Sequence, residues 1–393
     1  MATANEEYLD AALRHAMDVR RFTNGELRKV NALLAKSDRE VSIALRKALA
    51  EMGARSGQTY SFKTKRFKRL LAELTGMRKA VVAELERDNT DTFLSFAEIE
   101  ANKELARLNS VVPIEVNFAA ASGVLLKSIV NSRPFQGAIL KDYYATLSAN
   151  DQRRLRQAIQ LGMAQGESIN AIVARVVGTR GAGFADGALN ISRREAEGVV
   201  RTAVNHISNR AREAVWTANA DAFSFVMWVA TLDGRTTMIC ASRDGHVASV
   251  DGRPVPPQYR PLVPAGARPP AHWNCRSVMV VVFSKDGLVG NRPFVVDTRT
   301  PKRRTIDFRI EAQRTGRSVS QIRNDWKATN IGRVPARTTF DQFLKRQDAS
   351  FQDDYLGKAR GKAYRAGDLN VDQFVDSSGR TLTLKQLAES NVI

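Results

Sequence analysis

Proline is absent from the first 110 residues of this 393-residue chain. Because proline removes a hydrogen bond and clashes with the preceding turn inside a helix, so long a stretch without it can form uninterrupted helices. The stretch is rich in Ala, Leu, Lys, Arg and Glu, and its apolar residues recur in multiples of three or four, as at Val81, Leu85 and Phe93. We therefore expect a helical N-terminal arm or bundle over residues 1–110.

A connector is predicted over residues 111–147, where proline and glycine interrupt short apolar segments. Two helix starts are predicted beyond it, at Ser148 with Asp151 and at Ser192 with Glu195, because a serine with an acidic residue three positions later is typical of a helix N-terminus. A shorter amphipathic helix is predicted between these two starts. Its apolar stripe comprises Ile169, Ile172, Val173 and Val176.

The helical spacing of the apolar residues ends at residue 223. From there, aromatic and β-branched residues predict a strand that ends at an Asp-Gly turn. The run VMVVVF at 278–283 predicts a second strand, and a long proline-rich loop joins the two. The two cysteines of the chain, Cys240 and Cys275, lie next to these strands. Residues 148–290 are therefore expected to form a core of helices with a small β unit.

Residues 291–393 are expected to form a basic linker, which includes DTRTPKRRTIDFR, and a helical C-terminal unit. Further capping boxes predict helix starts there. They are Ser318 with Gln321, Thr339 with Gln342, and Thr383 with Gln386. The whole pattern predicts an α+β fold that is mainly α-helical, with a helical N-terminal region, central helices with a small β unit and a long proline-rich loop, and a helical C-terminal unit.

Charge is the strongest bulk signal, because 60 Lys and Arg face 41 Asp and Glu and give a formal net charge of +19. Basic residues in such excess favour a polyanionic partner, since binding releases counterions from phosphates. Non-specific double-stranded DNA is the expected partner; the alternative is that the basic residues are scattered over solvated faces. The candidate contacts with the DNA backbone are Lys63, Lys65, Arg66, Lys68, Arg69, Arg201, Arg210, Arg212, Arg299, Lys302, Arg303 and Arg304.

The segment ARPPAHWNCRS at 267–277, here called the corner, holds a histidine and a cysteine three positions apart. Together with Cys240 and His246, this pair offers the two-cysteine, two-histidine donor set of a tetrahedral zinc site, although the spacing is not that of a zinc finger. A nucleophile–base pair and a purely structural turn are the alternatives, and the structural interpretation is favoured, so no catalytic residue is assigned. The weak metal candidates are Cys240, His246, His272 and Cys275.

Three segments occur in the order RTAVNHISNRAREAV, WVATLDGRTTMICASRDGHV and PPAHWNCRSVMVVV. This order resembles the phage Mu F-like minor head (head morphogenesis) protein family. Thr237 and Ser277 stand where that family commonly has cysteine, so half of the thiolates that a zinc site would use are missing and we expect no zinc and no other cofactor. The motif residues to which the resemblance gives a structural role are Trp228, Asp233, Arg235, Cys240, His272, Asn274, Cys275 and Arg276.

What the resemblance implies is a structural virion component and not an enzyme: a minor capsid or head morphogenesis protein of a tailed bacteriophage. The implied partners are the portal protein, other capsid proteins and the packaged DNA, and ejection with the genome is a further implication. We expect synthesis in the host cytoplasm and a final place inside the head or at the portal vertex. No apolar run is long enough to span a membrane.

The alternative is an enzyme delivered with the DNA, either a nuclease or an ADP-ribosyltransferase-like protein. Glu98 and Glu100 have the spacing of the acidic pair of such transferases, but they lie in a helical run with no evident strand for the partner segment. We therefore interpret them as helix residues. A regulator that reads bases is not supported either, because the sequence shows no helix-turn-helix or zinc-finger spacing.

Overall fold

The computed structural model describes residues 4–52, 64–111, 117–283, 288–297, 299–367, 369–376 and 378–389. Most of these residues are helical, and the rest include two small three-stranded sheets, which confirms the predicted mainly α-helical α+β fold. The helices are α1 Ala4–Glu51, α2 Lys65–Val111, α3 Gly123–Asn131, α4 Leu140–Ala164, α5 Ile169–Val177, α6 Ala188–Ala218, α7 Met238–Arg243, α8 Pro301–Thr315, α9 Val319–Asn330, α10 Phe340–Lys345, α11 Ala349–Leu356, α12 Lys358–Arg365 and α13 Leu384–Glu389, with a short 3-10 helix Val371–Phe374. The strands are β1 Phe225–Val229, β2 Leu232–Asp233, β3 Val247–Ser249, β4 Val278–Val281, β5 Asn291–Val295 and β6 Ile331–Pro335.

The N-terminal helices are part of a bundle. α1 and α2 pack against each other, and both pack against α6. Apolar residues at helical spacing, such as Leu27, Val30 and Leu34 in α1, are buried in this bundle. The same hydrophobic cluster includes residues of α3, α4, α6 and the first sheet. The boundaries proposed above for four regions stay predictions, and this cluster runs across them. No helix in the described ranges is both long and apolar enough to cross a membrane.

A buried ionic cluster fixes how four helices meet. The Arg78 guanidinium in α2 donates to Asp151 of α4 at 2.6 Å and to Asp38 of α1 at 2.9 Å. Arg193 of α6 donates to the other oxygen of Asp38 at 2.6 Å. Arg78 and Asp151 are buried. Because a buried charge is costly without its partner, this cluster disfavours any other arrangement of the four helices.

Two of the predicted helix starts are wrong. The helix predicted from Ser148 begins at Leu140, because buried residues such as Tyr144 extend its apolar face into the predicted connector. The helix predicted from Ser192 begins at Ala188. The Ser192 hydroxyl accepts a hydrogen bond from Arg154 at 2.9 Å, so a tertiary contact uses the side chain that was expected to cap the helix.

Local capping patterns in the sequence predict several other helices correctly. The short amphipathic helix is confirmed as α5, and the capping boxes at Ser318 and Thr339 open α9 and α10. Thr383 exchanges both capping hydrogen bonds with Gln386 before α13. The predicted basic linker, in contrast, contains α8, which Thr300 caps by accepting a hydrogen bond from the backbone N–H three residues later.

The two predicted strands are confirmed as β1 and β4, which lie side by side. The first sheet has the order β3-β1-β4 with antiparallel pairs, and Trp228 lies opposite Met279. The second sheet has the order β2-β5-β6. β1 of the first sheet and β2 of the second are separated by only two residues, and the corner leads directly into β4.

Candidate functional site

Three polar residues of α6 hold the corner in place. Thr202, Asn205 and Asn209, here called the α6 ladder, follow each other at spacings of three and four and therefore share one helix face. Each makes one hydrogen bond to the backbone of residues 274–279. The bonds are Asn274 N–H to Thr202 Oγ1 at 3.0 Å, Asn205 Nδ2 to the Ser277 carbonyl at 3.1 Å, and Met279 N–H to Asn209 Oδ1 at 3.1 Å.

An ion pair joins the corner to the turn after β2. Arg276 donates two hydrogen bonds to the Asp233 carboxylate, at 2.5 and 2.6 Å, and Arg235 lies 3.7 Å from the same carboxylate. Burial works against the charged form of Asp233, but the bonds from Arg276 outweigh it and hold the pKa of Asp233 below its usual range. The pair is therefore ionised at neutral pH and ties the turn after β2 to the corner.

Trp228 and His246 belong to the strand contact beside the corner. Trp228 is buried in β1, and the Arg243 guanidinium lies 5.4 Å from the centre of its indole ring. The backbone N–H of Trp228 donates to the His246 carbonyl at 2.8 Å. His246 thus contributes its backbone here, and its ring is not part of the sulfur cluster that the structure places at the corner.

Cys240, His272 and Cys275 come together from two separate segments. The distance is 3.6 Å between the two sulfurs and 3.2 Å from Cys240 Sγ to His272 Nε2. All three donor atoms lie within 4.8 Å of one another, and both cysteines are free and buried. Sulfur ligands at the usual zinc–sulfur distance would lie about 3.8 Å apart in a tetrahedral site, so these donors match three of its corners.

The two cysteines differ in their readiness to ionise. The hydrogen bond with Cys275 and burial raise the pKa of the Cys240 thiol well above its ordinary value. The bond from Cys240, together with His272, lowers the pKa of Cys275 well below its ordinary value. The Cys275 contact also outweighs burial and raises the pKa of His272. Cys275 is therefore the more acidic of the two thiols, and Cys240 is the less acidic one.

The fourth position of a zinc site is where the donor set falls short. The hydroxyls of Thr237 and Ser277 both contact the Cys240 sulfur, at the two places where the resembling family commonly has cysteine. A neutral hydroxyl is a poor ligand for structural zinc, which takes thiolate, imidazole or carboxylate. Cys240, His272 and Cys275 could hold a zinc ion as three ligands, and the absence of resident zinc remains a prediction.

The first group of expected DNA contacts lies at the start of α2. Four of its basic residues are exposed, because Phe67 and Leu70 take the buried face of the helix. The exposed residues are Lys65, Arg66, Lys68 and Arg69. Lys63 lies outside the described residues. This surface, the α2 basic patch, is open to a phosphate backbone.

The second group, on α6, is largely engaged inside the protein. Arg201 pairs with Glu197 at 2.7 Å, and Arg210 pairs with Glu213 at 2.6 Å. Arg212 is buried and donates to the amide oxygen of an α6 ladder residue at 3.0 Å. A buried guanidinium cannot reach a DNA backbone, so the expected contact does not fit Arg212.

The third group forms part of an exposed helical hairpin, α8 with α9. Lys302 and Arg303 are exposed, Arg299 pairs with two aspartates, and the Arg304 guanidinium lies 4.5 Å from the centre of the Trp326 ring. Between residues 299 and 330 the sequence has nine Lys or Arg and three Asp or Glu. This surface is called the hairpin basic patch; its α9 residues were not among the predicted contacts.

The acidic pair considered for an enzyme lies in the middle of α2, as the helical interpretation expected. Glu98 is exposed, whereas Glu100 is buried. Glu100 bonds to His15 at 2.8 Å and accepts a hydrogen bond from Ser208 at 2.5 Å. The two carboxylates thus have different environments, and Glu100 is held within the bundle.

We predict that the purified protein contains far less than one zinc per chain. The double variant Thr237→Cys with Ser277→Cys should bind about one zinc, because it completes a thiolate-rich donor set around Cys240. Elemental analysis of both proteins, prepared in the same way, measures this. A wild-type protein that carries about one zinc, absent from Cys240→Ser, would contradict the prediction.

Comparison with known proteins agrees with the resemblance seen in the sequence. Residues 152–280 match the family described as phage Mu protein F like protein. No curated protein and no solved structure matches the chain. The matched stretch begins in α4, contains the α6 ladder and the corner, and ends in β4. Over residues 152–280, about a third of its length, the chain is similar to the phage Mu protein F like protein family.

Proposed function

We propose that this protein is a minor capsid component of a tailed phage, associated with the portal and with the packaged DNA. The observation that carries the proposal is the family match over residues 152–280, which coincides with the junction between the helical bundle and the first sheet. The matched stretch is therefore part of the buried framework of this fold and not an isolated surface motif.

The chemistry of the junction supports a structural role. Asp233 and Arg276 neutralise each other, and Trp228 is buried in the sheet. Cys240 and Cys275 are buried free thiols that are hydrogen-bonded to each other. Side chains committed to each other in this way stabilise a fold, whereas a nucleophilic site needs a reactive group that is oriented toward its substrate. The phage-delivered enzyme therefore has less support.

Two exposed basic surfaces support contact with packaged DNA, namely the α2 basic patch and the hairpin basic patch. Lysine and arginine on an exposed helix face can bind phosphates without reading bases, and such binding is favoured by the release of counterions. A protein inside a filled head meets DNA at high concentration. The net charge of +19 agrees with this environment.

The proposal predicts that the protein is present in purified mature particles of the phage that encodes it. Mass spectrometry should detect it in intact virions, and external protease should degrade it only after the heads are opened. If the protein leaves with the genome, particles that have ejected their DNA should contain less of it. Its absence from mature particles would contradict the virion assignment.

We further predict sequence-independent binding of double-stranded DNA that weakens steeply with salt. The variant Lys302→Gln with Arg303→Gln should lower the slope of log affinity against log salt by about 0.9 for each phosphate that the protein no longer neutralises. The matched control, Lys358→Gln with Lys362→Gln, removes the same charge from exposed positions of α12. Filter binding at several salt concentrations measures both slopes.

Equal slopes for the two variants would show that the hairpin basic patch makes no specific contribution. Affinity that does not change with salt, or that depends on one DNA sequence, would contradict the backbone-contact proposal itself.

A further inference from the structure

A cavity of about 530 Å³ lies between α1, α6 and the corner. Five arginines from four segments of the chain line it, and among the described residues no aspartate or glutamate does. They are Arg20 from α1, Arg201 and Arg212 from α6, Arg235 from the turn after β2, and Arg276 from the corner. Such a concentration of guanidinium groups around one space needs an explanation.

Carboxylates outside the cavity neutralise only part of this charge. Asp233 accepts two hydrogen bonds from Arg276, and it lies 3.7 Å from Arg235, so one carboxylate serves two guanidinium groups. Arg201 has Glu197 as its partner at 2.7 Å. Three arginines are thus balanced by two acidic residues, and two further arginines remain.

The two remaining arginines bond to neutral groups. Arg20 donates to the Thr231 hydroxyl at 3.2 Å, and Arg212 donates to the Asn209 amide oxygen at 3.0 Å. Within the described ranges, neither has a carboxylate at salt-bridge distance. The buried Glu100 carboxylate acts on Arg212 from further away, but it is already paired with His15. The cavity therefore has more arginine charge than the carboxylates around it balance.

Arg20 is an exposed residue of the cavity wall, and two neighbouring guanidinium groups act on it. Desolvation and the neighbouring Arg276 and Arg235 lower the pKa of Arg20 to about 10, against the opposing effect of Asp233. Guanidinium groups held together in this way repel one another, and an anion placed between them would relieve the repulsion. Arginine is also the side chain best suited to phosphate, because its planar fork donates two parallel hydrogen bonds.

The rest of the wall suits more than a single phosphate group. Asn24 and Asn274 offer amide groups, while Val19 and Val278 offer apolar surface. Clefts of a few hundred cubic ångströms with apolar walls and a few polar groups are typical of small-molecule sites. An inorganic phosphate would occupy only a small part of this volume.

We propose that this cavity binds a small phosphorylated anion of nucleotide size. Its phosphates would lie among Arg20, Arg235 and Arg276, and the remainder of the molecule would lie against the amide and apolar side chains. Lys302 and Arg303 of the hairpin basic patch do not line the cavity, whereas Pro301 beside them and Arg201, a candidate DNA contact, do. Competition between ATP and a DNA duplex therefore distinguishes this site from the surfaces proposed for DNA.

The experiment uses the full chain and isothermal titration calorimetry with three probes: inorganic phosphate, pyrophosphate and ATP. We expect ATP and pyrophosphate to bind with a Kd at or below about 100 µM, and phosphate to bind more weakly. An excess of a short DNA duplex should not displace ATP. Lack of binding by all three probes, or displacement of ATP by the duplex, would overturn the proposal.

Neighbouring residues of α1 provide a matched pair of variants. Both side chains are exposed, but Arg20→Gln removes a charge that lines the cavity, whereas Arg21→Gln removes the same charge from a residue that does not line it and pairs with Asp18. We expect Arg20→Gln to weaken ATP binding at least about tenfold and Arg21→Gln by less than about twofold. Equal weakening would show a general effect of net charge and would overturn the site.

Thermal melting of each variant checks that it remains folded. If Arg20→Gln loses cooperative melting, Arg235→Gln replaces it, because Arg235 is exposed on a turn and also lines the cavity. The same tenfold criterion applies to that variant.

Discussion

The contact between α6 and its neighbours on two sides is the interaction on which the rest of the structure depends. α6 packs against α1, α2 and α4, and it also contacts β4 of the first sheet. Buried small residues such as Ala196, Ala203 and Ala211 allow neighbouring elements to approach closely. The α6 ladder adds hydrogen bonds to the backbone of residues 274–279. One helix is therefore shared by the bundle and the sheet, and the corner takes its shape from it.

The residues that carry the family resemblance have clear structural roles at this junction. The pair of Asp233 with Arg276 is two-thirds or more shielded from solvent, and breaking a buried ion pair costs about 3–5 kcal/mol because it leaves an unpaired charge. Cys240, His272 and Cys275 close the loop next to it. The residues that carry the resemblance thus hold two segments and a helix together, while the arginine-lined cavity opens beside them.

Sequence alone predicts the elements that depend on local contacts and misses those that depend on distant ones. The capping boxes at Ser318 and Thr339 involve only residues within one helical turn of each other, and the structure contains both. The start at Ser192 fails because its hydroxyl meets Arg154, which no local pattern reveals. The donor types at Cys240, His272 and Cys275 are visible in the sequence, but their meeting depends on the path of the long loop.

The α6 ladder and the cavity show the same limit. The α6 segment RTAVNHISNRAREAV contains Asn205 and Asn209. Polar residues on a helix ordinarily face water, and the partners of these two lie about 70 residues further along the chain. Only the assembled structure shows which helix face they use. The five arginines of the cavity come from four segments, so no window of the sequence contains the site.

Amide hydrogen exchange of the Asn209→Leu variant tests the central claim most directly. Removing the amide leaves the buried Met279 N–H without its acceptor, which costs about 1–3 kcal/mol. We expect exchange at residues 274–279 to accelerate by about tenfold or more, while Asn190→Leu, which lies in α6 outside the ladder, leaves those amides unchanged. Unchanged protection of residues 274–279 in Asn209→Leu would contradict the claim that α6 holds the corner in place.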